Sequence, residues 1–433
     1  MKVIYDISLL GIGHHDPGNR TGIFRVVENL AYELAKSSEC DLSFSVALAP
    51  SYLPALKFCS DYLAVNPTLA HVPFSYSKFR LALEGQITSL SEKNDQAQAL
   101  QQLLLKVVKK LFIYAKDSTE FSVDAVSHKS LANADIFHSP CNGFTKKITP
   151  SKKLKRFMTV HDLISILHPE FCQGTRNLEF TESVVNSIRP DDWVISVSEA
   201  TKNDLCNYRK DIDPARVFVA PLAAASDVFY PCTDAQEITS VREKYGIPDA
   251  PYILSLCTLE PRKNIDHVIR CFAQLVQEQN LKDLYLVLVG NKGWSYDKIF
   301  EELANFNLAK ERVIITSFVV DRDLAALYSG ALAFAYLSFY EGFGLPPLEA
   351  MQCGIPVITS NTSSLPEVVG DAAITLDPLD KDGLCQSLLN LYHDSALRAD
   401  LSRKSLQQAK QFSWGNCTQD TLAAYRTALS NSD

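Results

Sequence analysis

Residues 332–361, LAFAYLSFYEGFGLPPLEAMQCGIPVITSN, decide how this chain is read. An apolar, aromatic run gives way at Gly342 and Gly344 to a turn built for close backbone approach. Pro346 and Pro347 suit the first turn of a helix, Gly354 closes that helix, and Pro356 starts the next strand. The pattern is strand, turn, helix, strand, the repeating unit of a parallel sheet. It leaves Glu341 in the loop at the strand's carboxyl end and Glu349 in the first turns of the helix. The two carboxylates therefore flank a helix N-terminus, whose unpaired N–H groups attract anions such as phosphate. A carboxylate accepts hydrogen bonds from vicinal hydroxyls, which is how a ribose or a hexose is gripped. On spacing alone, a solvated Glu341 and a Glu349 that answers the helix dipole fit equally well.

The same rhythm runs outward in both directions. KVIYDISLL, LSFSVALA, DIFHSP, KRFMTVHDL, WVISVS and RVFVAP read as strands in the first half. YILSLCTLE, LYLVLVGN, VIITSFV, LAFAYLS, PVITSN and AAITLDP read as strands in the second. Short runs this rich in Val, Ile, Leu and Phe are buried on both faces of a sheet. Helical patterns such as IFRVVENLAYELAKS, NIDHVIRCFAQLVQEQN and DLAALYSGA separate them. The alternation weakens around Pro221, Pro231, Pro248 and Pro251, which places a boundary near 222–236. The expected architecture is α/β, with two Rossmann-like doubly wound domains, 1–222 and 223–408, facing across a cleft. Residues 409–433 are expected to form a helix packing back on the first domain. Neither half has G-x-G-x-x-G after a strand, and GIGHHDPG is a poor match, so a nicotinamide dinucleotide site is disfavoured.

Composition narrows the function classes. A chain of 433 residues is too long for one core and suggests two or three domains. A net charge of −8 argues against a general nucleic-acid binder. The 11 cysteines are scattered and never in C-x-x-C spacing, which is neither a disulfide framework nor a zinc site. They read as reduced thiols of a cytoplasmic protein. MKVIYDISLLGIG is interrupted by Asp6 and reads as a buried first strand rather than a signal peptide. No apolar run is long enough to span a bilayer.

One segment breaks the rhythm. Residues 80–134 carry no clear strand but do carry ALQQLLLKVVKKLFIYAKD, an inserted amphipathic helix over 99–116. Packing on its own domain is the preferred reading, and a peripheral membrane contact in which its lysines meet anionic headgroups is the alternative. Two D-x-D triplets, Asp211–Asp213 and Asp321–Asp323, spell a metal-diphosphate signature, yet Asp213 precedes a proline and Asp323 fits an N-cap. Both read as structural. His138 reads as a packed histidine, and adjacent His14 and His15 on a loop as poor joint metal ligands.

The motifs taken together resemble the retaining glycosyltransferases of family 4, which have the GT-B fold. The resemblance rests on E-x7-E in EGFGLPPLE, SSLPEVVGDAAITLDP, LSLCTLEPRKNI, LVLVGNKGW and FVVDRDLAALYSGA. More loosely it includes GNRTGIFRVVENLAYEL, TVHDLISILHPEF, WVISVSEATKNDL and RVFVAPLAAASDVFYP, and so spans nearly the whole chain outside 80–134. It implies that Glu341 approaches the donor hexose and that Glu349 binds the ribose of the nucleotide. It implies that Gly342, Phe343, Gly344 and Leu345 bring backbone amides to the diphosphate, with Gly22 approaching from the first domain. Lys263 matches the lysine that neutralises the leaving phosphates, and His161 the histidine that faces the sugar. Further donor contacts fall at Asn291 and Val319. An arginine common in the family is replaced by Cys257 and Thr258, which passes part of its role to Arg262.

The expected activity is transfer of a hexose from a nucleotide-sugar donor to a glycan or lipid-linked saccharide acceptor in polysaccharide synthesis, with retention. UDP-glucose comes first as donor and GDP-mannose second, with no metal and no other cofactor. Fixed cations and N–H groups placed where negative charge develops on the diphosphate supply the catalysis. A glycoside hydrolase with paired carboxylates and an inactive nucleotide-sugar-binding scaffold are the rivals. The hydrolase lacks its usual barrel repeat, and the scaffold has no reason to keep Lys263, Glu341 and Glu349 together.

Overall fold

The computed structural model describes residues 1–16, 22–46, 55–76, 81–82, 84–85, 88, 128–145, 148–149, 153–172, 174–290, 293 and 311–431. Two six-stranded sheets, each with every pairing parallel, organise these residues. The first sheet has the order β2-β1-β3-β4-β5-β6, from β1 (Lys2–Asp6), β2 (Asp41–Ser45), β3 (Ile136–Ser139), β4 (Lys155–Val160), β5 (Trp193–Ser196) and β6 (Val217–Val219). The second has the order β12-β11-β10-β7-β8-β9, from β7 (Tyr252–Leu256), β8 (Tyr285–Val289), β9 (Val313–Ser317), β10 (Ala333–Tyr336), β11 (Val357–Ser360) and β12 (Ile374–Leu376). Every residue of β3, β5, β10 and β11 is buried, as helices on both faces of a parallel sheet require.

Strand order dictates where a ligand can sit. In the second sheet the chain adds β7, β8 and β9 outward one way, then returns to add β10, β11 and β12 the other way. Loops leaving β7 and β10 therefore part, and a crevice opens at their carboxyl ends. Glu260–Lys263 follow β7 and Glu341 follows β10, so both reach that crevice. In the first sheet the same reversal falls between β1 and β3, next to β4 and the His161 that follows it.

The helix Ile265–Glu278 shows how the packing holds this geometry. It buries Ile265, Val268, Ile269, Phe272, Leu275 and Val276, the stripe of an amphipathic helix. Asn264, just before it, has a positive φ of 56°, and its amide donates to the carbonyls of Leu337 (3.1 Å) and Pro378 (2.7 Å). That clasp ties the turn carrying Arg262 and Lys263 to the end of β10. The helix Trp414–Ser430 packs on the helix Gly22–Lys36 and on β5 and β6. Its Tyr425 hydroxyl lies 2.6 Å from Nδ1 of His138.

Three expectations require correction. The first strand stops at Asp6, and Ser8–His15 form a helix. The Asp6 carboxylate accepts the N–H of Ser8 (2.9 Å) and turns the chain. Gly11 serves helix packing rather than a turn: a Cβ there would lie 2.5 Å from the N and Sγ of Cys59. His14 and His15 accordingly close a helix, with His15 stacked on Phe58 (centroids 3.8 Å) and His14 edge-on to Tyr62 (6.0 Å). Asp323 is not an N-cap: Val320 holds that position, and Asp323 lies within the first turn of the helix Asp321–Ser329. Among the described residues no helix is long and apolar enough to cross a membrane, and residues 99–116 lie outside them.

Candidate active site

Glu341 is the centre of a buried charge cluster. Lys263 Nζ lies 2.6 Å from Glu341 Oε1, and Arg262 Nη1 lies 2.8 Å from Oε2. The Tyr336 hydroxyl is 2.8 Å from Oε1 and 2.6 Å from Lys263 Nζ, closing a triangle. Arg262 also donates to the carbonyl of Tyr340 (2.7 Å) and to Glu260 (2.8 Å). Burial pushes the Glu341 carboxyl up, but the Arg262 and Lys263 cations outweigh it and hold the group well below the usual carboxylate range. Glu341 is thus a fixed anion between two fixed cations.

Glu349 has the opposite surroundings. It is 7% exposed, on the second turn of the helix Leu345–Gln352. Its nearest partners are the Tyr328 hydroxyl at 3.2 Å and Arg25 Nη1 at 3.9 Å. Burial raises its carboxyl to about 7, with Arg25 and Tyr328 offsetting only part of the rise. A buried carboxylate with such long contacts has acceptor capacity left for hydroxyl groups.

Between them the turn is shaped by its carbonyls. Ser364 Oγ donates to the carbonyls of Glu341 (2.9 Å) and Phe343 (2.7 Å). Ser198 Oγ and Thr201 Oγ1, from the first sheet's side, reach the carbonyl of Gly342 at 2.6 and 3.1 Å. In a trans peptide the next N–H points opposite to each carbonyl, so the amides of Gly342, Phe343 and Gly344 turn away from these hydroxyls. No side chain caps the helix that starts at Leu345, although Pro346 and Pro347 contribute no N–H to it. Gly342 is required sterically: a Cβ there would sit 2.1 Å from the carbonyl oxygen of His161. Gly344 has a φ of 115°, a conformation that favours glycine.

The first sheet supplies the opposite wall. His161 follows β4, and its Nε2 donates to the carbonyl of Pro140 (2.7 Å), which leaves Nδ1 as the acceptor of the neutral ring. Burial pulls its pKa below the ordinary value, and the Pro140 carbonyl offsets part of that. Gly22 faces the turn directly, because a Cβ on it would touch Leu345 Cδ1 at 3.5 Å. A cavity of about 310 Å³ opens beside His161 and Arg262, lined also by Asp162, Asn177, Phe171 and Phe180. Glu367 Oε1 and Oε2 each accept an N–H, from Ala200 and Glu199 respectively (both 2.8 Å), across the cleft.

The structure therefore brings Gly22, His161, Arg262, Lys263, Glu341, Gly342, Phe343, Gly344, Leu345 and Glu349 around one cleft. Val319 has its side chain in the main core, 4% exposed. Asn291 lies outside the described residues. Tyr336 and Tyr328 were not singled out from the sequence, although a tyrosine in an otherwise apolar buried run is a signal that its hydroxyl meets something polar. Arg25 was missed because it resembles a solvated helix position. The D-x-D residues are engaged: Asp211 with Arg209, Asp213 with the N–H of Ala215, Asp321 with Arg25, and Asp323 with Lys244 and Tyr245. His138 is fully buried between Tyr425 and Thr159, its pKa pushed down to about 3 by burial.

Comparison with known proteins agrees with this geometry. Residues 237–408 match the family model described as Glycosyl transferases group 1. The chain is 36% identical over 294 residues to the O-antigen chain mannosyltransferase B of Escherichia coli, covering 67% of this chain and 74% of that one. It is 32% identical over 281 residues to the serotype-specific mannosyltransferase WbdA of Escherichia coli, covering 64% of this chain but only 34% of that longer protein. Among solved structures, a glycosyltransferase from Rickettsia africae superposes with a TM-score of 0.62 at 16% identity, covering 99% of each chain. Anabaena HepE in complex with UDP superposes at 0.63 and 15% identity, covering 98% of this chain and 99% of that one. The chain belongs to the group 1 glycosyltransferases and has the GT-B fold.

Proposed function

We propose that this glycosyltransferase moves mannose from GDP-mannose, with retention and without a metal, to a glycan or lipid-linked saccharide acceptor in polysaccharide synthesis. The observation that carries the transfer chemistry is the Lys263–Glu341–Arg262 cluster at the strand switch point, under a turn whose amides are free to meet a diphosphate. The names of the Escherichia coli relatives favour mannose, and so move the donor from UDP-glucose, first on sequence grounds, to the second choice.

In this reading Glu349 accepts the ribose hydroxyls, and the Gly342–Leu345 amides with Gly22 hold the diphosphate. Lys263 and Arg262 face the phosphate oxygens on which negative charge grows as the sugar–phosphate bond breaks. Glu341 holds the two cations in place and presents its remaining acceptor capacity to the hexose. The acceptor hydroxyl attacks the anomeric carbon from the side of the departing diphosphate, which takes the hydroxyl's proton. His161 shapes the sugar side of the cleft. Glycoside hydrolysis is not favoured, because the carboxylates are set for a diphosphate-bearing donor rather than for acid–base work on either side of a glycosidic bond.

The test is turnover of GDP-mannose and UDP-glucose by the purified chain, with and without EDTA, and the anomeric configuration of the product. An α-mannoside formed from GDP-mannose in EDTA is expected. Turnover of UDP-glucose alone would overturn the donor, a β product the retention, and rescue by Mn²⁺ after EDTA the metal independence.

A further inference from the structure

Arg25 lies on the helix Gly22–Lys36 of the first sheet's side, three residues after Gly22. Its guanidinium crosses the cleft and forks. Nη2 pairs with Asp321 Oδ1 at 2.7 Å, and Nη1 points at Glu349 Oε1 at 3.9 Å. Both carboxylates belong to the second sheet's side, so this fork exists only while the cleft is closed as seen here. We propose that Arg25 is a positioning residue of the transfer, one that couples nucleotide binding at Glu349 to closure of the two halves. The proposal rests on Glu349 being the ribose carboxylate.

The coupling follows from charge. Glu349 accepts ribose hydroxyls best as a carboxylate, and Arg25 is attracted only to the carboxylate. Nucleotide and Arg25 therefore favour the same state of one buried group, and by linkage each strengthens the other. The other titratable groups acting on Glu349 are Asp321, which disfavours its charge, the Tyr328 hydroxyl, which donates to it, and the Cys353 thiol. With the carboxyl raised to about 7, the two states are nearly balanced at neutral pH, so a small bias from across the cleft matters. Asp321 holds the other arm of the fork, which gives the first aspartate of the D-x-D triplet a role without a metal.

The experiment is calorimetric titration of GDP, with UDP and ADP alongside, into the full chain from below to above pH 7. Wild type, R25M, R25K and D321N are compared. Wild-type affinity is expected to fall as pH drops through about 7. R25M should shift that midpoint upward and weaken GDP by about tenfold at pH 7, one charge-assisted contact's worth, with a smaller loss at higher pH. R25K should recover part of the shift, and D321N should weaken GDP less than R25M. The terminal phosphate of GDP titrates on its own in this range, but equally for every variant, so the readout is the difference in midpoint between R25M and wild type. An R25M loss equal at every pH, or an unmoved midpoint, overturns the coupling while leaving the transferase reading intact. A wild type that binds no nucleoside diphosphate at any pH overturns both.

Discussion

The two glutamates at the ends of EGFGLPPLE are both buried and both anionic in principle, yet they sit in opposite electrostatic surroundings. Glu341 is clasped by Lys263, Arg262 and Tyr336 within 2.8 Å, and its charge is locked on. Glu349 has only long contacts to Tyr328 and Arg25, and its charge is negotiable. One helix start thus carries one carboxylate with its partners fixed and one with acceptor capacity left over. On the proposed assignment, the difference separates a carboxylate fixed in advance of the donor from one that the donor's ribose would complete.

The largest effect should come from breaking the rigid element. Glu341→Ala leaves the buried Lys263 without its carboxylate, while Arg262 keeps Glu260 (2.8 Å), and the loss of a buried ion-pair partner costs about 3–5 kcal/mol of stability. Thermal unfolding should show a large drop in Tm for Glu341→Ala, and a much smaller one for Ala at Glu349. Equal drops would mean that the close partners of Glu341 contribute no more to stability than the long contacts of the equally buried Glu349. Next comes the wall between the two. Gly342→Ala would place a Cβ 2.1 Å from the His161 carbonyl oxygen, so the halves could not close at this point. Turnover should fall on the order of 10²-fold, about 2.7 kcal/mol of barrier, while the nucleoside diphosphate still binds the second half. Unchanged turnover would show that the close approach is dispensable.

The pH dependence of stability should sharpen the contrast by its sign. Glu349 binds its proton more tightly folded than unfolded, rising from 4.5 to about 7. Its stabilising contribution is present at pH values below 4.5 and is lost as pH rises through about 7. Glu341 is depressed when folded, so its contribution is present above the ordinary carboxylate range and is lost as the medium becomes strongly acidic. Ligand-free E349Q should therefore gain on wild type between acid and alkaline conditions, by an amount on the order of 1–3 kcal/mol. Chemical denaturation across that range reads it, and a flat difference would mean that folding leaves the Glu349 carboxyl unshifted. The smallest effect is expected at the edge of the cluster. Tyr336→Phe removes one hydroxyl bridging Lys263 and Glu341, for about 1 kcal/mol of stability and a few-fold loss of turnover.

Much of this contrast was open to sequence reasoning, and its missing parts have physical reasons. All twelve apolar runs became strands, because burial on both faces leaves little else for Val- and Ile-rich segments to do. The helix Ser8–His15 was hidden by Gly11, whose demand comes from Cys59, distant in sequence. The closeness of Lys263 to Glu341 follows from strand order, since β7 and β10 are neighbours only after the sheet doubles back. Arg25 carries no local mark, and the D-x-D spacing that marks Asp321 points to a metal rather than to Arg25. Each looks like a surface charge until the opposite half is in place.

The most direct test of the contrast is to measure GDP affinity and donor turnover on two isosteric variants, E341Q and E349Q, side by side. E341Q should bind GDP no more weakly than wild type, because Lys263 and Arg262 lose a competitor for phosphate, while kcat falls on the order of 10²-fold. E349Q should lose GDP affinity and raise KM, with kcat at saturation much less affected. An E341Q protein that loses GDP while E349Q keeps it would contradict the assignment of the rigid carboxylate to the reacting sugar and the negotiable one to the ribose.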